Sequence, residues 1–265
     1  SEANRTVGGG PWATAPSVVS SGENFVVFDE YRTDYFEHNQ ESGVLQPIFI
    51  VNSDEPIVDI AIPTDSNGGN HLAILSPQNL RLIDALDQSI RIVDLDSNSS
   101  VIASSGSLVA IPKTSEAGPL VNITSIESDL TISILLDPRS SERIENSILN
   151  SGTSLDFLNS SIVELVMESN WLVATVDVGP FNRTILVDTL SINQTLISNP
   201  RWDSSSPSIG EGRVAFLQVT RDDIISTASS SERNNDVYVH ELESGETKQY
   251  TFDEEVSQSQ PQILF

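Results

Sequence analysis

Apolar and polar positions alternate with a period of two along much of this chain, and the clearest run lies near its end. Residues 206–209, 213–219, 236–242 and 246–252 form four such segments, punctuated by Gly210-Glu211-Gly212, a polar Asp- and Ser-rich loop, and Ser244-Gly245. Alternation between breakers of this kind predicts consecutive antiparallel strands. Ser244-Gly245 predicts a hairpin, because glycine adopts positive φ at little cost. The same unit, a short strand, a turn and a more apolar second strand, recurs upstream: 16–22 leads to 24–28, 56–62 to 71–75, 100–106 to 108–111, and 161–167 to 170–174. Residues 45–51, 90–95, 120–124, 130–136 and 184–188 supply further strands. Two stretches break the pattern. Ser76-Pro77 has the form of a helix start, yet residues 80–84 read equally as a third strand. Residues 140–149 space Ile144, Ile148 and Leu149 at helical intervals before Gly152, which predicts a short inserted helix.

The units begin near residues 16, 57, 100, 161, 207 and 261, roughly 40–60 apart, which brackets the length of a propeller blade. The expected fold is therefore all-β, a β-propeller of four-stranded antiparallel blades, with five blades and part of a sixth in a single domain over residues 1–265. The final segment, 261–265, opens a strand with no turn after it, so the chain is expected to be cut from a longer one. Residues 1–14, with Gly8-Gly9-Gly10-Pro11, are expected to enter the first strand and to cover a sheet edge. One stretch also carries a resemblance. Residues 199–263, with Asn199-Pro200-Arg201-Trp202, Ser206-Pro207-Ser208-Ile209, Arg213-Val214-Ala215-Phe216, Asp236-Val237-Tyr238-Val239 and Gly245-Glu246-Thr247, resemble a repeat of the TolB-like, WD40-like propellers. That resemblance implies the fold. Its repeats serve periplasmic scaffolds, peptidase gating domains and surface proteins alike, and it carries over no catalytic residue.

Composition narrows the partners. The formal net charge is −25 and the pI ≈ 4.1, with Lys113 and Lys248 the only lysines. A field of that sign repels nucleic acid and anionic lipid and favours cations or basic partners. With no cysteine, disulfides, thiolate zinc sites and cysteine nucleophiles are excluded. No apolar run reaches the roughly 18 residues of a membrane helix. Six Asn-X-Ser/Thr sequons occur, at Asn4, Asn98, Asn122, Asn159, Asn182 and Asn193, about twice what this composition would yield by chance. They point to a glycoprotein in an extracytoplasmic setting: secreted, periplasmic or cell surface.

Candidate chemistry is sparse. His38, His71 and His240 fall in different units without metal-ligand spacing, and His240 is expected at a solvated outer position. There is no Gly-x-Ser-x-Gly elbow. Asp59 and Glu164 are the acids well inside first strands, where a propeller glycosidase would hold its channel carboxylates. Calcium is the ion best suited to the oxygen ligands at Asp94, Asp96 and Asn98, or at Asp203, Asp222 and Asp223. Residues 28–36 mix aromatics with charges, so Asp29, Glu30, Tyr31, Tyr35 and Phe36 form either a binding patch on the rim or an amphipathic hairpin. The expected function is a non-enzymatic scaffold for a protein or glycan ligand. The alternatives are a glycan-active enzyme using Asp59 and Glu164, and a structural spacer in a large surface protein.

Overall fold

The computed structural model describes residues 17–21, 24–39, 42–95, 99–137, 160–178, 181–199, 202–219, 235–251 and 261. They build five four-stranded antiparallel sheets, each a meander in chain order. The first contains β1 (Ser17–Ser21), β2 (Asn24–Phe28), β3 (Arg32–Asn39) and β4 (Val44–Asn52); the second β5 (Asp59–Ala61), β6 (His71–Leu75), β7 (Asn79–Asp84) and β8 (Ile90–Asp94). The third contains β9 (Ala103–Ser105), β10 (Leu108–Ser115), β11 (Gly118–Ser125) and β12 (Thr131–Leu135). The fourth contains β13 (Ser161–Glu168), β14 (Trp171–Val178), β15 (Phe181–Asp188) and β16 (Gln194–Leu196); the fifth β17 (Asp203–Gly210), β18 (Arg213–Val219), β19 (Asn235–Glu241) and β20 (Thr247–Gln249).

The ambiguous segment 76–86 resolves as strand: β7 pairs with β6 on one side and β8 on the other, and sheet pairing overrides the local Ser-Pro helix signal. The hairpin at Ser244-Gly245 forms as expected, with Gly245 at φ +68° and its N–H donated to the Glu241 carbonyl at 2.9 Å. The expected helix at 140–149, the closing segment 1–14 and the sixth-blade strand beyond Pro261 lie outside the described residues.

Packing divides the chain into two compact units. The first comprises residues 1–102, 106–109 and 125–129; the second comprises 103–105, 110–124 and 130–265. In the first unit the core lies between its two complete sheets, where Val26, Tyr35, Ile57, Ile60, Ile62, Leu72, Ile74 and Ile83 form one buried cluster. In the second unit Val173, Leu186, Ile197, Val214, Phe216 and Tyr238 do the same between the fourth and fifth sheets. The second strands β6, β14 and β18 are apolar almost throughout because they are buried on both faces. This explains why the second strand of each repeated unit is the more apolar one.

Candidate binding surface

The patch foreseen at 28–36 is a hairpin whose residues divide between two roles. Asp29 is buried, and its Oδ1 accepts the N–H of Tyr31 at 2.9 Å and of Arg32 at 2.8 Å. This is an Asx-type turn, in which a carboxylate substitutes for backbone acceptors and fixes the loop. Arg32 closes on Asp34 through two bonds of 2.7 and 3.0 Å. Tyr35 and Phe36 are buried on β3. Tyr35 stacks on Phe49 with ring centres 5.1 Å apart and donates its hydroxyl to Asn24 Oδ1 at 2.8 Å. Burial, aided by the Glu37 charge, pushes the Tyr35 phenol up to about 12. Only Glu30 and Tyr31 face solvent, Tyr31 at 41% exposure. The Glu30 carboxylate, hydrogen-bonded to the Tyr31 phenol, raises the phenol above its ordinary value.

The turn is locked to neighbouring loops. The Ser53 N–H donates to the Tyr31 carbonyl at 2.8 Å, and the Ile57 N–H to the Glu30 carbonyl at 2.6 Å. Glu55 Oε2 accepts from Asn79 Nδ2 at 2.7 Å, which ties in the turn between β6 and β7. One end of the first unit therefore presents Glu30, Tyr31, Asp54 and Glu55 together. Glu55 and Asn79 were not foreseen. They follow the end of the hairpin by 19 and 43 residues, and the only signal for them was the repeat register itself.

The opposite end of the first unit is also acidic, but its carboxylates are held by the protein's own loops. Asp65 Oδ1 accepts the N–H groups of Asn67 at 2.8 Å and Gly69 at 2.7 Å, and Oδ2 faces His71 Nε2 at 3.4 Å. A Cβ at Gly69 would fall 2.5 Å from Asp65 Oδ2, so this close approach requires glycine. Glu127 accepts the Ser66 N–H at 2.7 Å. These donors hold both carboxylates below their ordinary range, Asp65 chiefly through Gly69 and Glu127 chiefly through Ser66. Among the described residues no three His, Asp or Glu side chains are placed to hold a metal ion. Asp96, Asn98, Asp222 and Asp223 lie outside those residues. Asp94 is exposed, and Asp203 Oδ1 accepts the Asn182 N–H at 2.7 Å.

The two inner-strand carboxylates are each engaged by backbone. Asp59 Oδ2 accepts the Ile102 N–H at 3.0 Å and Oδ1 the Ile60 N–H at 2.9 Å. Glu164 accepts the Ser206 N–H with both oxygens, at 2.9 and 3.1 Å. Ser206 has φ +52° at a register shift in β17, a conformation costly for a non-glycine residue, and the carboxylate holds it there. The separations of 43 and 42 residues between acid and amide match one repeat. Each acid fastens its strand to the start of the next repeat.

Asp59 carries a pH signature. Burial raises its carboxyl above the ordinary 3.8, against the pull of the Ile102 and Ile60 amides. The folded protein therefore binds this proton more tightly than the unfolded chain. The stabilising linkage is fully present below 3.8 and is lost as pH rises through the raised value. The stability of Asp59→Asn relative to the parent should thus improve between pH 3 and pH 7. Urea midpoints at the two pH values test this, and parallel midpoints would refute it.

The histidines sit on separate strands: His38 on β3, His71 on β6 and His240 on β19. The solvated position expected for His240 is corrected. It is buried, with Nδ1 2.9 Å from Thr247 Oγ1, because β20 covers that end of β19. Of the sequons, Asn193 is exposed on the turn before β16, whereas Asn122 and Asn182 are half-buried within strands. Asn122 Oδ1 accepts from Ser133 Oγ at 2.8 Å. Asn4, Asn98 and Asn159 lie outside the described residues.

No protein-family model matches the chain, and no curated protein sequence matches it. Solved structures do. The tricorn protease aligns over 92% of this chain and 26% of its own, with 12% identity and a TM-score of 0.53. The WD40 repeats of RRP9 align over 89% of this chain and 66% of theirs, with 9% identity and a TM-score of 0.51. An oligogalacturonate lyase solved in complex with manganese aligns over 86% of this chain and 61% of its own, with 7% identity and a TM-score of 0.51. This chain thus spans about a quarter of the first and under two thirds of the other two. At these identities the likeness concerns the fold alone: the chain is a β-propeller of four-stranded antiparallel blades. No helix among the described residues is long and apolar enough to cross a membrane.

Proposed function

We propose that this chain is a non-enzymatic propeller scaffold of the TolB-like type, working outside the cytoplasm, that binds a basic protein segment at the Glu30-Tyr31 turn. One observation carries this reading: an exposed aromatic stands among carboxylates on a loop that is rigid before any ligand arrives. Asp29 clamps the turn from beneath, and Ser53 and Ile57 clamp it from the side. Such a site loses little freedom on binding, so contacts convert efficiently into affinity. Tyrosine is favoured at such surfaces because its ring is amphipathic and has few rotors. The chain's charge of −25 selects for cationic ligands. Asp59 and Glu164, the acids an enzyme reading would use, have their oxygens directed at backbone amides. The fold alone decides nothing here, since one propeller architecture hosts many functions.

The test is to pan a random-peptide display library and a glycan array against the parent and against a Glu30→Gln/Tyr31→Ala double variant. Peptides enriched in lysine and arginine should emerge. Their affinity should fall about tenfold or more in the double variant, with thermal stability unchanged. Enrichment that ignores the double variant, or binding confined to the glycan array, would overturn the reading.

A further inference from the structure

Among the described residues the outermost strands of the sheets are guarded, with one exception. An unpaired edge strand invites another strand to add to it, and proteins blunt such edges with proline, bulges, shortness or lysine. β4 carries Pro47 at a register shift. β16 and β20 have three residues each, and β20 includes Lys248. On β12 the Leu135 carbonyl accepts Gln194 Nε2 at 2.7 Å, and Gln194 Oε1 goes on to accept the Asp137 N–H. β8 has none of these devices. Its sequence, Ile90-Arg91-Ile92-Val93-Asp94, has strong β propensity. Its one cation points inward: Arg91 donates to the carbonyls of Ser125 and Ser128.

The register shows what the open edge offers. The Asp84 N–H donates to the Ser89 carbonyl at 3.0 Å, and the Leu95 N–H to the Gln78 carbonyl at 2.8 Å. With Leu82 opposite Arg91 and Leu80 opposite Val93, alternation assigns residues 89, 91, 93 and 95 to the ladder with β7. The backbone N–H and C=O groups of Ile90, Ile92 and Asp94 therefore point away from the sheet. The side chains of these three residues share one face, and Ile90 and Ile92 are 58% and 60% exposed. Asp94 and Asp87 are exposed at the two ends of this apolar strip.

We propose that β8 is a docking edge that an extended, basic segment of a partner protein extends by one strand. The reading rests on the chain being a protein-binding scaffold, but it uses residues separate from the Tyr31 turn. Charge complementarity selects the occupant. Alternate apolar residues of the incoming strand would cover Ile90 and Ile92 on one face, and lysine or arginine at its two ends would reach Asp87 and Asp94. A second copy is a poor occupant. Antiparallel pairing of two β8 strands about Ile92 would set Ile90 against Asp94 and bring together two chains of net charge −25.

The experiment uses the intact chain and a blocked peptide of about eight residues alternating lysine and valine, a typical strand length. The controls are a lysine–proline peptide of equal charge, whose prolines have no N–H to give a ladder, and two substitutions that change charge equally, Ile92→Lys and Leu190→Lys. Leu190 is exposed in the second unit. The lysine–valine peptide should bind at least about tenfold tighter than the lysine–proline peptide, and Ile92→Lys should remove about that factor while Leu190→Lys does not. The Glu30→Gln/Tyr31→Ala variant should bind the peptide as the parent does. Three results would overturn the proposal: equal binding of the two peptides, equal losses in the two lysine variants, or dimerisation of the parent that Ile92→Lys abolishes. Binding lost only in the Glu30/Tyr31 variant would also overturn it while supporting the function proposed above.

Discussion

Tyr35→Ala should destabilise the protein by about 3–5 kcal/mol, whereas Tyr31→Ala, four residues earlier, should change stability by no more than about 0.5 kcal/mol. The contrast follows from position: Tyr35 lies on the covered part of β3, and Tyr31 in the exposed turn before it. Tyr35 is 1% exposed, lies within the core of the first unit, stacks on Phe49 and donates to Asn24. Removing its ring leaves a cavity the size of an aromatic side chain in a close-packed interior and strands Asn24 Oδ1 without its donor. Tyr35→Phe separates the two contributions, since it keeps the packing and loses only the hydroxyl bond, for about 1 kcal/mol. Chemical denaturation of the three variants measures all of this. If Tyr35→Ala and Tyr31→Ala proved equally mild, the packing of the first unit described above would be wrong.

Arg183→Ala should cost a similar amount, about 3–5 kcal/mol, and Arg183→Met somewhat less. Arg183 is 1% exposed on β15. Its Nη1 donates to the carbonyls of Trp202 at 2.8 Å and Asn182 at 3.1 Å, and its guanidinium carbon lies 4.9 Å from the centre of the Phe181 ring. Burial pulls its pKa down to about 10, against the supporting charge of Asp203, so it remains a cation at neutral pH. Alanine removes the donor to the Trp202 carbonyl, the counter-charge to Asp203 and the volume of a long side chain at once. Methionine restores the volume but, like alanine, leaves the Trp202 carbonyl and Asp203 without the guanidinium, so it should recover only the packing part of the loss. Lysine should be the worse conservative change, because a strongly hydrated ammonium loses more on burial than a guanidinium and cannot lay a flat group beside the Phe181 ring. Urea unfolding of the three variants tests the ranking, and an alanine variant within about 1 kcal/mol of the parent would contradict it.

The candidate site was only half legible. The mixture of aromatics and charges at 28–36 marked the right hairpin, but β3 alternates, so Asp34 and Phe36 face one way and Thr33, Tyr35 and Glu37 the other. Sequence could not say that both faces of the inner part of this strand are covered. Asp59 and Glu164 were legible as acids within first strands, but what they hold was not. Their partners are amides one repeat away, an interaction with no side-chain signature at the donating end. His240 shows the same blindness: its place in an alternating strand was plain, but its burial depends on Thr247 of a strand only three residues long.

By itself the sequence determined that the chain is all-β, where most strands and turns fall, and that they repeat as four-stranded meanders. The reason is that period-two patterning and turn chemistry act over a few residues and are written in consecutive positions. It also determined the net charge of −25. Tertiary structure decided which face of each strand is covered, which carboxylates meet backbone amides, and which outer edge is left open. Those outcomes depend on contacts between residues some 20 to 60 positions apart, where Asp59 meets Ile102, Arg183 meets Trp202 and Gln194 caps Leu135. A local pattern tells a residue which side of its strand it occupies; only the neighbouring sheet tells it what is there.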